Sequence, residues 1–164
     1  MSIPKKSRSP ISRLTKPERL ALANQAIQII AAHGRKFFLK GTRVSRFELD
    51  QRGQVWFIDK YAEARIYTHY NGKWHGFSEG GTLRALVIAL RNFISTGQPL
   101  PTCHLGPWPQ WYSNGDPWGY TVEEMALVQQ QVSVLGILTP REIPPPAETA
   151  GLSVALEIES ANPR

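Results

Sequence analysis

RVSRFELDQRGQVWFIDKYAEARIYTHYNGKWHGF, residues 43–77, decides the fold. Its apolar residues recur at a spacing near two, and β-branched and aromatic residues fill the runs between turn signals. The pattern predicts strands near 44–49, 54–59, 64–70 and 73–77. Asp50-Gln51-Arg52-Gly53 supplies the first turn and the neighbourhood of Ala62-Glu63 the second. Asn71-Gly72 supplies the third, because both residues tolerate the positive φ that a two-residue type I′ hairpin demands. The expected sheet is therefore a four-stranded antiparallel meander. Within it His69 would pair with Trp74 and Thr68 with His75, so the two histidines point to opposite faces and cannot share a metal.

The flanking segments have helical spacing. In TKPERLALANQAIQIIAAHG, residues 15–34, Thr15 and Glu18 form a capping box, Pro17 fits the first turn, and Leu20, Ala23, Ile27 and Ile30 make an apolar stripe ending at Gly34. FSEGGTLRALVIALRNFISTGQPL, residues 77–100, carries Leu83, Leu86, Val87, Leu90, Phe93 and Ile94 on one face, with Thr82 as cap and Gly97 as stop. TVEEMALVQQQVSVLG, residues 121–136, repeats the capping box at Thr121 and Glu124, turns Met125, Val128, Val132 and Leu135 inward, and stops at Gly136. The expected fold is α+β, in the order α-β-β-β-β-α-α, with three helices packed mainly on one face of the sheet. Residues 1–14 read as a flexible basic arm, 15–139 as a single domain, and 140–164 as a proline-rich linker and tail.

Charge is unevenly placed. Residues 1–100 hold 17 Lys or Arg against 6 Asp or Glu, and residues 101–164 hold 2 against 7, so a half at +11 precedes one at −5. A basic half of this kind attracts phosphate or an acidic protein face. The longest apolar run, Ala85 to Leu90, is far below the roughly 20 residues that cross a bilayer. No membrane partner is expected. Cys103 stands alone and cannot form an internal disulfide, and the basic N-terminus lacks the apolar stretch of a secretory signal, which together predict a cytoplasmic protein.

Chemistry-bearing patterns are sparse. Cys103-His104 are sequence neighbours and do not present their side chains to one another as a nucleophile and base must. Glu48, Asp50, Asp59 and Glu63 could in principle build a metal-dependent nuclease, but Asp59 and Lys60 alternate faces in a strand. No catalytic residue, metal ligand or cofactor is expected. SEGGTLR, residues 78–84, is an anion-binding candidate through Gly80, Gly81 and Arg84 at a helix start. Arg43, Arg46 and Lys73, among further basic residues interleaved with Trp56, Tyr61, Tyr67 and Tyr70, suit a phosphate backbone with stacked bases. The element order also invites comparison with double-stranded RNA-binding domains. Their second helix opens with a lysine cluster, whereas this one begins Thr82-Leu83-Arg84-Ala85.

HLGPWPQWYSNGDPWGY, residues 104–120, packs three of the five tryptophans, two tyrosines, three prolines and three glycines into seventeen residues. Prolines and glycines exclude both helix and strand, so an aromatic loop is expected. Its Trp108, Trp111, Tyr112, Trp118 and Tyr120 either cover an end of the sheet or serve as anchors for a protein partner. Taken with residues 77–100, this loop resembles segments of small accessory proteins of bacteriophages, prophages and related mobile elements, over residues 36–136. That resemblance implies a setting and transfers no site residues. The function expected is a non-enzymatic accessory protein that binds a host protein, such as a defence effector, inside the bacterial cell. The alternatives are a nucleic-acid-binding module using the basic half and a small metal-dependent nuclease.

Overall fold

The computed structural model describes residues 13–33, 38–77, 81–105 and 121–139. The basic arm up to residue 12, Gly34, Gly80, the aromatic loop from residue 106 to residue 120 with Trp108, Trp111, Tyr112, Trp118 and Tyr120, and the tail from residue 140 lie outside the described residues.

Three helices form where the apolar stripes place them. Helix α1 (Lys16–His33) begins with the Thr15 capping box: the Glu18 N–H donates to Thr15 Oγ1 at 3.3 Å and the Thr15 N–H to Glu18 Oε2 at 2.6 Å. Ala23, Ile27 and Ile30 are buried along it, and Leu20 is half-buried against the same core. Helix α2 (Gly81–Thr96) buries Leu83, Leu86, Val87, Leu90, Phe93 and Ile94. The expected cap, Thr82, lies inside this helix and not ahead of it. Helix α3 (Val122–Val134) has both bonds of the Thr121–Glu124 capping box and buries Met125, Val128 and Val132. Gly97 and Gly136 stop α2 and α3 with φ of 79° and 74°, a conformation that costs a side-chain-bearing residue free energy.

The sheet differs from the expected meander. Strands β1 (Leu39–Lys40) and β2 (Arg43–Val44) make a separate two-stranded hairpin. Strands β3 (Arg46–Leu49), β4 (Val55–Asp59) and β5 (Ala64–Tyr67) make an antiparallel three-stranded sheet in that order. The break between the two falls at buried Ser45, whose N–H donates to the Phe38 carbonyl and whose Oγ accepts the Lys60 N–H at 2.8 Å.

The fourth strand expected at 73–77, and with it the single four-stranded meander, is not formed. Asn71-Gly72 is not its turn either. The chain leaves β5 at Thr68, whose hydroxyl donates to the Val55 carbonyl at 2.6 Å, and turns at once, the Tyr70 N–H reaching back to the Tyr67 carbonyl. Trp74 then drops into the core, where its ring packs edge-on against Phe77 at 5.4 Å and its indole N–H donates to the Tyr70 carbonyl at 2.8 Å. Burying a large aromatic is worth about 2–3 kcal/mol, against about 0.2–1 kcal/mol for the His69–Trp74 cross-strand pair that a fourth strand would offer. Two arginines of α2 hold the resulting loop: Arg91 donates to the Thr68 carbonyl, and Arg84 to the Gly72 carbonyl at 2.8 Å.

Phe47, Val55, Phe57 and Ile66 form the inner face of the sheet and join the helices, with Phe38, in one buried cluster. Helix α1 packs on β3, α2 on β4, and α1 on both α2 and α3. Behind the helices the chain after α2 meets the chain after α3: Leu100 and Leu138 form a parallel bridge, with the Leu100 N–H on the Ile137 carbonyl at 2.7 Å. Among the described residues the outer edge of β3 has no strand beside it at Phe47. Asn24 of α1 takes that place, donating through Nδ2 to the Phe47 carbonyl at 3.1 Å and accepting its N–H through Oδ1 at 2.7 Å. Replacing Asn24 by Ala strips both backbone groups of their partner and should lower stability by about 2–3 kcal/mol, read as a fall in the urea midpoint with an unchanged slope.

Candidate functional site

With the helices on one side, the opposite face of the three-stranded sheet is left to residues that alternate with the core set. Register fixes which ones. Glu48, Trp56 and Tyr67 align in one row across the strands, and Arg46, Ile58 and Arg65 in the next. The Arg65 guanidinium carbon sits 3.8 Å from the centre of the Trp56 ring, a cation–π stack. Trp56 in turn meets Tyr67 at 5.1 Å between ring centres, and Tyr67 meets His69 at 5.5 Å. The result is a continuous ladder of one cation and three rings along the solvent face.

The β3–β4 turn builds one wall beside this ladder. Asp50 Oδ1 accepts the N–H groups of Arg52 at 2.8 Å and Gln54 at 2.9 Å, which closes the turn, and Oδ2 accepts the Trp56 indole N–H at 2.9 Å. That indole bond, followed by the backbone donors, holds the Asp50 carboxyl below the usual carboxylate range. Gln54 Oε1 accepts the Tyr67 hydroxyl at 3.1 Å. Asp50, Gln51, Arg52, Gln54, Trp56 and Tyr67 thereby line a cleft of about 510 Å³. A smaller cleft of about 240 Å³ continues past Trp56 and Tyr67 towards Tyr70 and Lys73.

The residues singled out from the sequence have different fates. Arg43 is exposed on the small hairpin, across from Lys40. Arg46 lies on the outer face, but Glu48 Oε1 accepts both its Nε at 3.0 Å and its Nη2 at 2.6 Å, so its charge is partly neutralised. Lys73 is exposed beside the smaller cleft. Gly81 begins α2. Arg84 spans the Asn71 and Gly72 carbonyls and covers the Trp74 ring at 4.4 Å, a structural tie. Arg52 and Arg65, which the sequence offers only within a pool of basic residues, are exposed and make no ion pair with a described carboxylate. Their selection depends on register across two turns, a signal that residue type alone does not carry.

The carboxylates do separate jobs. Glu48 holds Arg46, Glu63 pairs with Lys40 at 3.4 Å, Asp50 closes its turn, and buried Asp59 accepts the Ala62 N–H at 3.0 Å. Burial raises the Asp59 pKa above the ordinary carboxylate value. Among the described residues no three His, Cys, Asp or Glu side chains converge to hold a metal ion. No helix among them is long and apolar enough to cross a membrane.

His69 does not meet Trp74 as expected; its Nε2 accepts the Val55 N–H at 3.2 Å, which only a neutral ring nitrogen does. Desolvation, with the positive charges of Arg91 and Lys16, lowers its pKa against an opposing pull from Asp50. A depressed folded-state pKa gives stability that is present above the unfolded value near 6.5 and is lost as pH falls through the folded value. The His69 contribution to the melting temperature should therefore be lost as pH falls below about 6.5, so that the protein loses more, or gains less, on acidification than His69→Gln does. Comparing the two proteins across the series removes the Asp59 contribution, which is common to both and has the opposite sign.

A protein-family model described as YoqU matches residues 13–145, most of the chain and all of the sheet and helices above. No curated protein and no solved structure is significantly similar. By that match the chain belongs to the YoqU family.

Proposed function

We propose that this protein is a non-enzymatic binding module of a phage or mobile element, and that the ligand of its outer sheet face is nucleic acid. The observation that carries the reading is the Arg65–Trp56–Tyr67 ladder, laid on the side of the sheet opposite the described helices. Cations beside solvent-facing rings suit a chain that alternates phosphates with flat bases. Arg43, Arg52, Lys60, Arg65 and Lys73 make no ion pair with a described carboxylate and supply the positive field. The phage or mobile-element setting rests on the resemblance carried by residues 77–100 and 104–120.

Fluorescence anisotropy of a labelled mixed-sequence oligonucleotide tests the reading. Three or four phosphate contacts should give a slope of log K against log salt of about −2 to −3, and Arg65→Ala or Arg52→Ala should each make it shallower by about 0.7. Absence of binding, or binding indifferent to salt and to both arginines, would overturn it. The sequence favours a second reading, a host protein held by Trp108, Trp111, Tyr112, Trp118 and Tyr120. Capture of a partner from the natural host that withstands nuclease and moderate salt, and is lost in Trp108→Ala or Trp118→Ala, would support that one.

A further inference from the structure

Resting on the nucleic-acid reading of the sheet face, we propose that the cleft between the β3–β4 turn and β5 seats one unpaired, amino-bearing base, so that the ligand is single-stranded. At about 510 Å³ the cleft lies within the size range of small-molecule sites. Its stacking surface is Tyr67 and not Trp56. Arg65 covers one face of the indole at 3.8 Å and Trp56 is half-buried, whereas Tyr67 stays exposed although the Trp56 and His69 rings approach it to 5.1 and 5.5 Å. Trp56 is thus a positioning residue. Tyr67 keeps 37 % of its surface exposed, while its hydroxyl on Gln54 and the flanking Trp56 and His69 rings fix its plane. A base stacked inside a duplex cannot offer its face to such a ring, whereas an unpaired base can.

The cleft also presents an acceptor beside a donor. Asp50 Oδ1 takes two N–H groups and Oδ2 takes one, which leaves Oδ2 one acceptor position. The carboxylate is ionised at neutral pH, consistent with its depressed pKa. Gln54 spends its oxygen on Tyr67 and keeps its amide N–H groups for a ligand. An exocyclic amine next to a ring nitrogen, as on adenine or cytosine, meets both. Thymine presents its one N–H between two carbonyl oxygens, which an anionic acceptor repels. Arg52 at the rim is placed to take the adjoining phosphate.

The test uses the full chain and labelled twelve-nucleotide probes: oligo-dA, oligo-dC, oligo-dT and a self-complementary hairpin. Oligo-dA and oligo-dC should bind about tenfold more tightly than oligo-dT or the hairpin. Tyr67→Leu should cost about tenfold on the single strands, and Gln54→Leu, which leaves the Asp50 turn intact, should narrow the preference over oligo-dT. Circular dichroism melts verify that both variants are folded. Equal binding of all four probes, with Arg65-dependent salt sensitivity and no effect of Tyr67→Leu or Gln54→Leu, overturns the base cleft and leaves the sheet-face reading standing. If no probe binds at all, the sheet-face reading itself fails.

Discussion

Strict alternation along β4 is the constraint on which the molecule depends. Val55, Phe57 and Asp59 are buried and Trp56 and Ile58 are not, so this central strand assigns its two neighbours their faces through the register at Phe47–Phe57–Ile66 and Glu48–Trp56–Tyr67. A slip of one residue would send Phe57 into water and Trp56 into the helices. Core and candidate site are two sides of one strand, and neither can be shifted alone.

Two polar devices hold that register. Asn24 saturates the outer edge of β3 at Phe47, doing with one side chain what a further strand would do with its backbone, and so ties the sheet to α1. Asp50 closes the β3–β4 turn and grips the Trp56 indole with the same carboxylate. The geometry of the outer ladder is therefore set by the turn that sets the strand pairing. Pre-organisation of this kind reduces the ordering cost of any ligand that uses the face.

Helix α2 has a comparable double role. Its apolar stripe packs into the core, and its Arg84 and Arg91 reach over the rim to the carbonyls of the 68–77 loop. Those bonds tie the loop to α2 on the side where Trp74 is drawn inward. The smaller cleft beside Tyr70 and Lys73 exists because that loop is pinned and not extended as a strand.

The three helices, the capping boxes at Thr15 and Thr121 and the stops at Gly97 and Gly136 are legible in the sequence, since each signal acts within a few residues and does not depend on what lies across the fold. The same locality made the first two turns and most of β3, β4 and β5 legible, but it left Arg65, Trp56 and Tyr67 among many basic and aromatic residues with nothing to rank them above Arg46 or Lys73. Tertiary structure decided the rest. Asn71-Gly72 has the composition of a hairpin turn, but the helix-side cavity that Trp74 fills lies beyond local sequence, and its burial outweighs the hairpin. Arg46 and Arg84 look as available as Arg65 until Glu48 and the Asn71 and Gly72 carbonyls are seen to engage them. Which cation is left for a ligand depends on which others are already satisfied, and that is a property of three-dimensional neighbours.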